Sequence, residues 1–176
     1  GNLSMFFHGD CFNGFGGMQN YFIAMYTKPE IVHAVTRRAC DYYLKLNERF
    51  FKKAGDLFDG FKISHDLGTQ QDLLISPEML EEFVFSYIKE QIELGHAYGY
   101  QVIMHCCGAI NKIIPRLIEL GVDALNPIQA GAANMDADSL TEYKNDISFI
   151  GGIDTQDLLV NGTANDIKKE VKRVEE

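Results

Sequence analysis

The chain has 176 residues, 46% of them hydrophobic, and a formal net charge of −9. That is enough apolar material for a globular domain with a buried core, and the acidic balance excludes a nonspecific nucleic-acid binder, which needs a basic stripe. No apolar run approaches the ~20 residues of a membrane span, nothing resembles a signal peptide, and four cysteines with one adjacent pair fit a reduced, cytoplasmic setting better than a disulfide framework.

In chain order, residues 4–7 read as a first strand. His8-Gly9-Asp10-Cys11 pairs ligand-type side chains without a strand to carry them and reads as a loop. Gly14-Phe15-Gly16-Gly17 has neither the Lys-Ser/Thr of a phosphate loop nor a third spaced glycine, so it reads as a flexible loop before a helix. Residues 29–54 form a long helix pattern that places Val32, Val35, Ala39, Tyr42, Leu46 and Phe50 inward. Residues 57–63 read as a strand entering Ser64-His65-Asp66-Leu67-Gly68-Thr69-Gln70. Ser76-Pro77-Glu78 then has the composition of a helix start: a serine cap, a proline at the first position and an acid in the first turn. Leu80, Phe83, Val84, Tyr87 and Ile88 follow at helical spacing, and Gly99 closes the segment.

Residues 101–104 form the next strand, ending in His105-Cys106-Cys107-Gly108. The following helix carries Ile114, Leu117 and Ile118, begins near Ile113 or Ile114 so that Pro115 falls in its first turn, and stops at Gly121. A short strand at 122–125 leads into Asn126-Pro127-Ile128-Gln129 and a small helix near 138–143. Residues 147–150 lead into Gly151-Gly152-Ile153-Asp154, and a last helix starts near Thr163. About five strands alternating with helices predict a parallel α/β fold read as one domain over 1–176. Two architectures fit: a partial (β/α)₈ barrel of TIM type, or a small open doubly wound sheet.

Polar and ligand-type residues follow each strand: His65 and Asp66, His105 and Cys107, Asn126 and Gln129, then Asp154. That is the end at which α/β enzymes build their sites. His105 and Cys107 stand at i and i+2, which in extended backbone puts an imidazole and a thiol on one side with Cys106 on the other. As zinc ligands the two would have to lie within ~4 Å of each other. The bland alternative is a buried histidine and thiol at a strand end.

Five segments, Asp66-Leu67-Gly68-Thr69-Gln70, Ile75-Ser76-Pro77-Glu78, His105-Cys106-Cys107-Gly108, Leu125-Asn126-Pro127-Ile128-Gln129 and Gly151-Gly152-Ile153-Asp154-Thr155-Gln156, come in the order and spacing of the uroporphyrinogen decarboxylase superfamily. The resemblance runs from roughly Gly14 to the end, and its His-x-Cys-Gly and Gly-Gly-Ile-Asp pieces are similar to the cobalamin-dependent methyltransferase branch. It implies a (β/α)₈ barrel, of which this chain is the C-terminal-side portion, lacking the N-terminal part and the last strands. It also implies a Zn²⁺ held by His105, Cys107 and a further cysteine, and a methyl group passed from a methylcobalamin-bearing corrinoid protein to a thiol such as coenzyme M. No cysteine follows Cys107, so that third ligand is absent.

On this reading His65, Asp66 and Asp154 are catalytic candidates, Asn126 and Gln129 contact substrate, and His105 and Cys107 bind metal. Each has a plainer alternative: loop organisation for Asp66, Asp154, Asn126 and Gln129, and packing for Cys106. A homodimer is left open. Two other functions share the fold. One is metal-free decarboxylation of an acidic tetrapyrrole, for which the strand ends show no arginine and only Lys112 close by. The other is a non-catalytic binding module derived from the barrel.

Overall fold

A computed structural model describes residues 12–175. The strand expected at 4–7 and the His8-Gly9-Asp10-Cys11 loop lie outside the described residues. Helix α1 (Met18–Thr27) follows the glycine loop, where Gly16 and Gly17 both have positive φ. Helix α2 (Pro29–Ala54) has the bounds its sequence pattern predicts. Strand β1 (Gly60–Ser64) leads through a loop to α3, which runs through Pro77–Leu80, a π-helical turn at Glu81–Phe85, and Ser86–Ala97. The Ser76 side chain accepts the Met79 N–H and Pro77 opens the first turn, so this helix starts where the cap residues place it.

The remaining elements are β2 (Gln101–His105), α4 (Ile114–Leu120), β3 (Ala124–Ile128), α5 (Ala137–Leu140), β4 (Ser148–Gly151), α6 (Leu158–Asn161) and α7 (Ala164–Glu175). The described residues hold one four-stranded sheet, all parallel, in the order β1-β2-β3-β4. That order decides between the two expected architectures. A doubly wound sheet reverses direction at a switch point, whereas here each strand lies beside its predecessor, which is the winding of a (β/α) barrel. The fold is α/β with the strand order of a partial TIM barrel.

Winding in one sense puts the helices on one face. That face is sealed: Phe61, Ile63, Val102, Met104 and Leu125 are buried there, with Ile88 and Ile92 of α3 among the core that covers them. The opposite face carries Lys62, Ser64, Ile103, His105 and Asn126, all partly open. In the barrel pattern this second face turns toward the axis.

The inward set expected for α2 holds only at its N-terminal end. Its buried positions are Val32, Thr36, Cys40, Asn47, Phe51 and Ala54, while Tyr42 is 62% exposed and Leu46 and Phe50 are each 36% exposed. Val32 is buried as expected and Val35 and Ala39 are partly so, whereas further along the helix packing turns Tyr42, Leu46 and Phe50 outward and buries the neighbouring stripe. The inner stripe is fixed by α3 and the sheet: His33 stacks on Phe83 at 4.6 Å, Arg37 forks onto Glu90 at 2.6 and 3.0 Å, and Phe51 meets Phe61 edge-on at 5.0 Å.

Candidate metal centre

The register sets the site. Ser64 pairs with His105, and His105 pairs with Asn126, so three open-face residues stand in one row across β1, β2 and β3. Two residues beyond Ser64 and His105 come Asp66 and Cys107, which the same phase brings side by side. The Cys107 N–H donates to Asp66 Oδ1 at 3.0 Å. Cys107 Sγ lies 3.6 Å from His105 Nε2, and Asp66 Oδ1 lies 3.4 Å from the same nitrogen. Donor atoms of the three residues all fall within 4.8 Å of one another.

These separations fit one small ion. At zinc's usual bond lengths a tetrahedral arrangement puts nitrogen and sulfur roughly 3.5 Å apart, and nitrogen and a carboxylate oxygen roughly 3.3 Å apart. The donor set of imidazole, thiol and carboxylate suits zinc. Asp66 thus stands where a third ligand is needed, in a chain with no cysteine after Cys107. The site is half-buried, with His105 25% and Asp66 38% exposed in their side chains. His105 Nδ1 is buried with no hydrogen-bond partner among the described residues, so the side of the ring facing Asp66 and Cys107 carries its polar contacts.

Close backbone approach holds the donors together. Gly108 has φ +89°, and a methyl group there would lie 2.5 Å from the Gly68 carbonyl carbon; one on Gly68 would lie 2.9 Å from the Cys107 carbonyl oxygen. Only two glycines allow the loops after β1 and β2 to cross at that distance. The crossing is stitched by Ala109 N–H to Thr69 O at 2.7 Å and Leu67 N–H to Cys106 Sγ at 3.3 Å. Gln129 Oε1 accepts the Gly108 N–H at 3.0 Å and ties the turn to the end of β3.

Electrostatics around the thiols separate their roles. Burial pushes Cys106 well above the ordinary thiol range, and at 1% exposed it is a packing residue on the sealed side. Cys107 is also raised, first by burial and then by the neighbouring Asp66 carboxylate, while Lys62 pulls it back. A thiol held up by a carboxylate is one that a cation would deprotonate.

Not every sequence candidate joins this cluster. His65 is 0% exposed, because alternation along the strand end sends Ser64 and Asp66 one way and His65 and Leu67 into the core. Asp154 accepts N–H groups from Gln156 at 2.8 Å and Asp157 at 3.4 Å, and the first of these holds its carboxyl below the usual range; it organises the turn after β4. Asn126 belongs to the row, with Oδ1 accepting from Lys62 Nζ at 2.7 Å. Sequence reasoning missed Lys62. Its signal was the single charge between Phe61 and Ile63, two buried positions of a parallel strand. A cavity of about 410 Å³ lined by Leu140, Phe149, Gly152, Arg173 and Val174 lies elsewhere and touches none of the three donors.

A parallel sheet wound as a (β/α) barrel, with an acid, an imidazole and a thiol gathered at its strand ends, defines a barrel-type α/β protein whose donor cluster is compatible with a metal ion. The chain belongs to the uroporphyrinogen decarboxylase (URO-D) family, whose pattern it matches over residues 13–176. A comparison with curated proteins finds no match, and one with solved structures finds none either.

Proposed function

We propose that the protein is a zinc-dependent methyltransferase of this family, moving a methyl group from a methylcorrinoid carried by a partner protein to a small thiol such as coenzyme M. The observation that supports this reading is the convergence of Asp66, His105 and Cys107 at separations that match a tetrahedral zinc site. Zinc, when bound, would supply a thiolate at neutral pH by stabilising the anion of a thiol in its open position.

The chain's own groups prepare that chemistry. His105 offers Nε2 and Cys107 its sulfur from one side of the strand end. Asp66 replaces the missing thiolate with an oxygen and keeps the Cys107 backbone N–H in place. Gln129 and the Gly68–Gly108 crossing hold the turn that carries Cys107.

Metal analysis of the purified protein tests the reading. The expected result is stoichiometric zinc, lost in His105→Ala and in Cys107→Ser, and bound more than about tenfold more weakly in Asp66→Asn, which keeps the backbone hydrogen-bond acceptor but lacks the charge. Protein that purifies without zinc and cannot be loaded with it would overturn the proposal in favour of the decarboxylation that the family's description names.

A further inference from the structure

We propose that the outward face of α2 is a docking surface for an acidic amphipathic helix of a partner protein. The inference goes beyond the methyl-transfer reading and shares no residue with the candidate metal centre.

Charge is unevenly placed in this chain. Helix α2 holds six basic and three acidic residues, a balance of +3, so the rest of a chain of net −9 carries −12. Two of the helix's acids are already paired within it, Asp41 with Arg37 at 2.8 Å and Glu48 with Lys52 at 2.7 Å. Arg38, Lys45, Arg49 and Lys53 are exposed and make no ion pair among the described residues. Carboxylates abound elsewhere on the surface, yet none reaches these four cations. A partner with acidic flanks would complete them and be steered to them.

An apolar stripe runs beside the cations. Val35, Ala39, Tyr42 and Leu46 recur at intervals of four, three and four residues, the spacing of a helix–helix seam, and Phe50 adds one more turn. Tyr42 is 62% exposed, and the Phe58 ring lies 5.7 Å from that of Phe50 and prolongs the stripe. From Val35 to Phe50 the rise is about 22 Å, four turns of a partner helix. Along one edge Arg38, Lys45 and Lys52 recur every seven residues, the place from which charged side chains select the sign of a partner.

Shape and charge choose among the occupants. The stripe is one helix wide and carries two shallow grooves, one lined by Val35, Ala39 and Tyr42 and the other by Leu46, Arg49 and Phe50. Grooves of that width take a rod better than the plane of a membrane. A second copy meeting this face with its own α2 would bring two helices of +3 together. An acidic helix meets both the grooves and the sign.

The test uses a labelled helical peptide of about 21 residues with leucine along its seam and glutamate on both flanks, and a control with lysine in place of glutamate. Fluorescence anisotropy should give the acidic peptide a Kd in the micromolar range, at least about tenfold tighter than the basic one, and weakening about tenfold between roughly 50 and 300 mM salt. Lys45→Glu combined with Arg49→Glu should reverse the preference, and Tyr42→Ala should weaken the acidic peptide several-fold. Equal binding of the two peptides, or no binding of the acidic one, would overturn the proposal. So would a dimer in sedimentation that Tyr42→Asp dissociates, which would make a second copy the occupant. Vesicles containing phosphatidylserine that outcompete the acidic peptide would assign the face to a lipid surface and also refute it. Circular dichroism reports on folding, and Lys45→Gln with Arg49→Gln, expected to erase the preference without reversing it, serves should the glutamate pair unfold. None of these measurements needs zinc, so metal-free protein would refute the metal centre and leave this test intact.

Discussion

At the scale of single residues the site depends as much on what is missing as on what is present. Gly108 and Gly99 both sit at positive φ, +89° and +78°, yet they differ in surroundings: a methyl group on Gly108 meets the Gly68 backbone at 2.5 Å, while one on Gly99 meets nothing within 4 Å. Gly99→Ala should therefore cost only the left-handed backbone penalty, about 1–2 kcal/mol. Gly108→Ala adds a backbone clash, so its cost should exceed that of Gly99→Ala by about 1–3 kcal/mol, and it should weaken zinc binding by pushing Cys107 away from Asp66. Denaturant melts of the two variants with parallel zinc titrations measure both effects. Equal destabilisation, or an unchanged zinc affinity in Gly108→Ala, would show that the loops do not need this crossing.

The pair of helices α2 and α3 shows how an element can be well formed and still carry local cost. Asn47 is 0% exposed on the inner stripe of α2, and among the described residues neither its amide oxygen nor its nitrogen has a hydrogen-bond partner. Removing such a group from the interior relieves a penalty of about 1–3 kcal/mol. Asn47→Leu, which keeps the branching and heavy-atom count though its methyl groups are bulkier, should raise the thermal midpoint by several degrees for a chain of this size; a lowered midpoint would mean that the amide is satisfied in solution or that the larger side chain does not fit. Cys40, on the same stripe, has its pKa raised from 9.0 to about 11 by burial, against the pull of Arg37. The unfolded thiol ionises near 9 and the folded one holds its proton to about 11, so the unfolded state alone gains from ionisation between those values. Stability is full below pH 9 and falls across pH 9–11, by roughly 2–3 kcal/mol from this group. Cys40→Ala should flatten that part of the pH–stability curve relative to the parent chain, and parallel curves would refute it.

Across the whole molecule, what was legible in the sequence was what is local. The Ser76-Pro77 cap and the bounds of α2 need only neighbouring residues, and they lie where periodicity and cap chemistry put them, whereas the strand expected at 122–125 runs Ala124–Ile128 and takes Asn126 into the sheet. The C-terminal part of the inner stripe of α2 needed α3 and the sheet, and so Tyr42, Leu46 and Phe50 were misread while Val32 was not. The third donor needed the β1–β2 register: nothing in the sequence says that Ser64 faces His105, and only that phase makes Asp66 a neighbour of Cys107. The same dependence sets where zinc should act on the molecule. Its three candidate donors come from the end of β2 and the loops after β1 and β2, so binding would clamp that crossing and leave β4 and the helices after it untouched. Binding to the folded state alone raises stability by about 2.7 kcal/mol at a hundredfold excess over Kd, which is roughly 5–10 °C in the midpoint here. Hydrogen exchange should place the effect: zinc should slow the amides of Leu67, Cys107 and Ala109, whose N–H groups bond across the crossing, and leave those of Leu159 and Asn161 at their metal-free rates. Cys107→Ser should remove both the midpoint shift and the added protection. Protection that rises evenly along the chain, or that persists in Cys107→Ser, would place the metal somewhere other than at Asp66, His105 and Cys107.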